Sequence, residues 1–192
     1  MGSYAELFLT NDQSPALEGN VIDSILSKWY VPLGWLALYE PQDFKLETEF
    51  DEDLEEDFHV LYSTRPVGKA ISLIQERSSN CEKLGGDSWT KGLDFFLTYL
   101  KTSNAEYVHV AYSGLADDEF PAFDQQEFYI AQINNMKFPS MDEKKSLFGG
   151  TKLKRNKNWE ALLPEGYKPG KLLPYWAWFG APPGTKEDWG DT

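Results

Sequence analysis

Glu47, Glu49, Asp51, Asp53, Glu55 and Asp57 take every odd position across eleven residues, and Glu52 and Glu56 add two more acids to the run. Several chemistries suit such a comb. Carboxylates on alternate strand positions lie about 6.6 Å apart on one face, which makes a ladder for docking a basic protein. That repeat is near twice the roughly 3.4 Å per-strand phosphate spacing of DNA, a match that any extended acidic strand would share. Hard divalent cations also take carboxylates, but the run lacks the glycine-centred Asp-x-Asx-x-Asx-Gly loop and its terminal Glu, so no metal site is assigned. A plain solvated strand and loop would need no chemistry at all.

The remaining reactive groups are few. Cys81 is the only cysteine, and His59 and His109 are the only histidines. Cys81 reads as an ordinary unpaired thiol, since no spacing supports a nucleophile pair with either histidine. His59 follows the acids, and a continued strand phase would put it on their face, where carboxylates favour its charged form. His109, between Val108 and Val110, reads as a half-buried strand residue whose ring nitrogens need partners. Tyr62, Ser63, Thr64 and Arg65 stand at a strand-to-helix junction that could offer polar groups and free helix amides to an anion. Capping of the helix by Ser63 or Thr64 is the plainer reading. Gly68 falls inside that helix and not in a glycine-rich turn, so no phosphate loop or dinucleotide fingerprint is present. Catalytic residues, cofactor and metal are therefore left unassigned.

Two further groups could make contacts. Lys144, Lys145, Lys152, Lys154, Arg155 and Lys157 form a basic stretch near Trp159. They could touch nucleic acid, pair with the comb or stay solvated. Trp176, Trp178 and Phe179, in the run PYWAWFG, are hydrophobic anchor candidates with core packing as the competing reading.

The elements that position these groups follow from periodicity. Residues 4–10 read as a strand and residues 11–15 as a turn. Asn20 could cap a helix whose face is Val21, Ile22, Ile25, Leu26 and Trp29, ended by Pro32 and Gly34. Residues 35–40 and 44–50 read as two strands joined by Pro41, Gln42 and Asp43. In the second of these Phe44, Leu46 and Phe50 share the even face. The even phase returns at Phe58, Val60 and Tyr62, which makes residues 51–57 a charged hairpin tip. The four-residue repeat of Phe50, Leu54 and Phe58 keeps a helix in competition. Residues 64–77 read as a helix, residues 78–86 as a loop, and Ser88 as the cap of a helix striped by Leu93, Phe96, Leu97 and Leu100. Residues 107–112 read as a strand, and residues 128–133 stay open between strand and helix.

These stripes predict an α+β fold, a single two-layer domain whose mainly antiparallel sheet is covered by two or three helices. The expected division is a core at residues 1–136 and a basic, then Trp- and Pro-rich, irregular extension at residues 137–192 packed on it. With 192 residues, 41% of them hydrophobic, the chain can bury one substantial core. Its formal charge of −13 opposes nucleic acid and anionic membranes at long range. Met1 is not followed by a basic and then apolar leader, and no run approaches the roughly 18 apolar residues of a membrane span. With one cysteine, the cytoplasm is the expected compartment.

The opening MGSYAELFL, the segment GWLALYEPQDF at residues 34–44 and YSTRPVGKAISLIQER at residues 62–77 resemble N-terminal domains associated with prokaryotic HEPN and Toprim proteins of genome-conflict systems. The resemblance covers about the first 80 residues. It implies a bacterial conflict or immunity setting and no reaction; the comb and the Trp-rich tail lie outside what it explains, and the HEPN Arg-x4-6-His motif is absent. Together with the charge, this predicts a small acidic protein-binding module, an immunity-type protein that docks on a basic protein partner. The alternatives are a carboxylate-dependent hydrolase or transferase in which acids and residues 62–65 meet in a cleft, and a structural subunit of a larger assembly.

Overall fold

Buried residues occupy both faces of the first strand, β1 (Tyr4–Thr10): Ala5, Leu7 and Leu9 on one side, Phe8 and Thr10 on the other. A strand buried on both faces belongs inside a sheet, and β1 pairs antiparallel with β2 (Asp23–Lys28) and β5 (Tyr107–Ala111). The chain order continues with a short helix α1 (Leu33–Leu36), a 3-10 turn at Pro41–Asp43, β3 (Phe44–Asp51) and β4 (Glu56–Pro66). A long helix α2 (Val67–Thr102) precedes β5, and α3 (Ala122–Asn135), β6 (Met141–Lys145), β7 (Thr151–Arg155), α4 (Lys157–Glu160) and α5 (Trp176–Phe179) follow it. This computed structural model describes residues 4–15, 20–28, 30–51, 56–112, 121–145, 151–160, 162 and 176–180.

The five strands run in the order β2-β1-β5-β4-β3, every pair antiparallel, and β6 with β7 forms a separate two-stranded hairpin. The α+β expectation with a mainly antiparallel sheet holds. Cross-strand partners Ile25, Leu7, Val110 and Ser63 fall in one row of the helix-covered face. That face carries the main core, where Leu7, Ile25, Val110, Leu61 and Phe44 join Ile74 and Phe96 of α2 and Ile133 of α3. Each fully buried large apolar side chain contributes about 1.5–3 kcal/mol relative to exposure. The opposite face holds a smaller cluster of Phe8, Val60, Tyr62 and Ala111.

Four local expectations are corrected. The expected helix from Asn20 is β2: Ile25 is buried and its neighbour Leu26 is exposed, the alternation that pairing with β1 imposes over a helix-like spacing. The expected strand at residues 35–40 is α1 and its exit, because Leu33 to Tyr39 are buried on every side and carry no alternation. Residues 64–66 belong to β4, so the helix starts at Val67 with Pro66 as its cap and no side-chain cap bond. The expected loop at residues 78–86 is helical, and the break is confined to Gly86, whose φ of 55 suits a residue without a Cβ. The open segment 128–133 lies within α3, and the basic stretch, read without strands, supplies β6 and β7.

The tail is tied to this core. Trp159, Leu162, Trp178 and Phe179 all lie in the main cluster, and the Trp35 indole N–H donates to the Phe179 carbonyl at 2.8 Å. Gly34 makes the approach possible, since a Cβ there would come within 2.4 Å of the Phe179 ring and 2.6 Å of the Trp178 carbonyl oxygen.

Candidate functional site

Antiparallel pairing of β3 with β4 decides what the acidic comb becomes. Asp51 pairs with Glu56, Glu49 with Phe58 and Glu47 with Val60, so every odd position of β3 is matched to an even position of β4. Directly opposed residues share a face. Positions 47, 49 and 51 therefore lie in register with the apolar phase of β4, and position 57 falls on the other face beside Phe50. The hairpin reading of residues 51–57 holds at its flanks, and Asp53 and Glu55 lie outside the described residues. His59 is corrected by the same register: it pairs with Thr48, on the face opposite positions 47, 49 and 51. It accepts or donates a long 3.3 Å bond with the Thr48 hydroxyl and meets the Phe123 ring edge-on at 5.1 Å.

This hairpin is also an arm. β3 is an edge strand, and β5 pairs with β4 from Tyr62 to Pro66, so among the described residues the ladder beyond Leu46 and Leu61 has β3 and β4 alone. The arm carries Phe50 at 60% and Phe58 at 40% exposure on its two faces, with Phe123 of α3, at 55%, beside His59. Large exposed aromatics next to charges mark contact surfaces.

The other anchor candidates go inward. Trp178 and Phe179 are 1% and 2% exposed, packed against Trp89 with ring centroids 5.8 and 4.8 Å apart, so the core reading of these two residues holds. Trp176 opens α5, and its side chain lies outside the described set. In the basic stretch, Lys144 pairs with Lys152 and Asp142 with Lys154 across β6 and β7, so the run is a mixed-charge hairpin with exposed Lys154 and Lys157 near its end. Cys81 is buried, and burial pushes its thiol up to about 12 with Arg77 opposing, which leaves it inert as a nucleophile.

Residues 62–65 do not cap α2. Ser63, Thr64 and Arg65 instead have partners away from the helix end. The Ser63 hydroxyl meets Tyr112 Oη at 3.0 Å. Arg65 ties the 3-10 turn to β4 by donating to Glu40 at 2.8 Å and to Asp43. The same turn is closed by the Glu40 backbone N–H donating to Asp43 at 2.8 Å. Arg77 completes the frame, donating to the carbonyls of Ala37 at 3.2 Å and Tyr39 at 2.7 Å where α1 ends.

Thr64 and His109 form the most constrained polar pair. His109 is fully buried and stacks on Phe8 at 4.9 Å. Its Nε2 stands 3.1 Å from the Asp12 carbonyl oxygen and 2.9 Å from Thr10 Oγ1, and the Thr10 hydroxyl itself donates to that carbonyl at 2.6 Å. A carbonyl has no proton to give, so Nε2 carries the ring hydrogen and Nδ1 is the acceptor. The Thr64 hydroxyl therefore donates to Nδ1 at 2.9 Å. Burial lowers the His109 pKa to about 4, with the Asp12 carbonyl bond opposing. Unfolded histidine titrates near 6.5, so between these values the unfolded chain binds the extra proton and stability falls as pH drops. Urea unfolding should lose on the order of 2 kcal/mol from this source between pH 7 and pH 4, and His109→Gln should flatten that part of the profile.

Beside this pair lies a cleft of about 620 Å³ lined by Asp12, Lys45, Glu47, Tyr62, Thr64 and Lys69 among others. It collects four stretches of chain: the turn after β1, the 3-10 turn with β3, the end of β4 and the first turn of α2. Of these residues the sequence singled out Glu47, Tyr62 and Thr64; Asp12, Lys45 and Lys69 had no local signal. Among the described residues, no group of three or more His, Cys, Asp or Glu is placed to hold a metal ion, and no helix is long and apolar enough to cross a membrane. No protein-family model, curated protein or solved structure matches the chain.

Proposed function

We propose that the chain is a small acidic protein-binding module whose β3–β4 arm docks on a basic protein surface. One observation carries this reading: an edge hairpin runs past its neighbouring strand with acids at positions 47, 49 and 51 in one register and Phe50 and Phe58 exposed beside them. Acids speed encounter with a cationic partner, and the aromatics supply the desolvated contact that holds it. The net charge of −13 works in the same direction. The likeness of the first 80 residues to conflict-system domains supports an immunity-type role, with a basic toxin as the docked protein.

The two alternatives fare differently. An assembly held through Trp178 and Phe179 loses its surface, because both are core residues. A hydrolase or transferase would use the cleft, whose lining includes Glu47, Asp12 and Thr64. There the Thr64 proton is committed to His109, and Asp43 to Arg65.

Affinity purification from the source cell at low and moderate salt, with mass spectrometry, identifies the partner. Against that partner, E47Q/E49Q/D51N should slow association about tenfold at low salt and flatten its salt dependence, while Phe50→Ala raises the dissociation rate. Unchanged association by the triple variant would exclude the arm as the docking element.

A further inference from the structure

The cleft beside Thr64 has a charge pattern that the docking arm does not explain. Lys45 and Lys69 both line it, and among the described residues neither ammonium is in an ion pair. Glu47 and Asp12 line the same space. Glu47 stands two residues from Lys45 on the same strand face, about 7 Å along β3.

Thr64 adds a directed group. Its only hydroxyl hydrogen points to His109 Nδ1 at 2.9 Å, and the histidine is held in that tautomer by the Asp12 carbonyl on its far side. The Thr64 oxygen can therefore show the cleft only lone pairs, an acceptor that cannot turn into a donor. A simple anion would meet the lysines but also Glu47 and Asp12; a simple cation would meet the acids but also two ammonium groups. A molecule with both charges satisfies the whole lining. A volume near 620 Å³ lies in the range of small-molecule sites, and each extended residue spans about 3.4 Å, so two or three residues bridge the poles.

We propose that this cleft binds a short zwitterionic peptide, its carboxylate on Lys45 and Lys69 and its ammonium on Asp12 and the Thr64 oxygen. The peptide is recognised by its two charged ends, and the site is distinct from the aromatic positions of the arm.

The test is a titration of the isotopically labelled full chain, read by amide chemical shifts. The probes are triglycine, N-acetyl-triglycine amide, acetate and methylammonium. Triglycine should saturate shifts at Gln13, Lys45, Thr64 and Lys69 with millimolar or tighter affinity, and the other three probes should bind at least about tenfold more weakly. Lys69→Gln should cut triglycine affinity about tenfold with its amide spectrum otherwise intact, since a charge-assisted bond is lost. The same variant should bind the protein partner as the parent does, which separates this site from the arm. Equal binding of the capped peptide, shifts that map elsewhere, or no saturable shift at about 10 mM triglycine would overturn the proposal.

Discussion

Phe179→Ala is expected to lower the unfolding free energy by about 3–5 kcal/mol. The side chain is 2% exposed and sits among Trp89, at 4.8 Å, and Phe96, at 5.1 Å. Its removal opens a cavity bounded by helix α2 and by α1, where Gly34 was left without a Cβ to admit the ring. Collapse is limited because the Phe179 carbonyl still accepts the Trp35 indole bond and keeps α5 near its place. Urea denaturation followed by tryptophan fluorescence measures the loss. A cost below about 1 kcal/mol would mean that α5 is a detachable cover and not part of the cooperative core. Gly34→Ala in the Phe179→Ala background should cost less than in the parent, because the ring it would strike is gone.

Arg65→Leu comes next, with an expected loss of about 2–4 kcal/mol. The guanidinium is 12% exposed and bridges Asp43, at 15%, and Glu40, at 39%. Removing it leaves the Asp43 carboxylate half-buried with no cation, and that uncompensated charge, more than any lost attraction, sets the cost. Glu40 loses less, since it is the more exposed partner. The bond from Arg65 holds the Glu40 carboxyl below its usual range, so its contribution is present above the ordinary carboxylate pKa and fades as pH falls through the lowered one. Arg65→Leu with Asp43→Asn should recover a large part of the loss. A double variant no more stable than Arg65→Leu alone would show that Arg65 acts through packing. In either variant the 3-10 turn should loosen, and Gln42 and Asp43 on the cleft wall with it.

The sheet was legible where a strand is dense in aromatic and aliphatic residues or alternates in sequence. β1 follows from its apolar run, β3 from Phe44 and Leu46, and β5 from Val108 and Val110. β2 was not, because Val21, Ile22, Ile25 and Leu26 have helical spacing and only pairing with β1 turns Leu26 out. α1 was hidden by complete burial, which erases period. The helix through residues 78–86 was hidden by Ser78, Ser79, Gly85 and Gly86, residues that end helices when no core holds them. Here Cys81 and Leu84 are buried on one side of it.

The candidate site divides the same way. The comb was visible because it is continuous in the chain, yet its split between two faces depends on the pairing of Asp51 with Glu56. The cleft was invisible because its parts meet only after folding: His109 finds Thr10 ninety-nine residues away and Thr64 forty-five away. The need of the His109 ring for partners was readable; their identity was not.

The edge position of β3 has a consequence for the molecule in a crowd. A sheet edge offers unpaired N–H and C=O groups to any passing strand, including that of a sister molecule. Two β3 edges brought side by side antiparallel about Thr48 would set the acids of positions 47 and 49 against each other, a destabilising match, with Lys45 opposite position 51 at the ends. A basic strand would meet the same row with opposite sign. One line of side chains thus works as a filter, refusing its own kind while leaving the seat open to a cationic stranger.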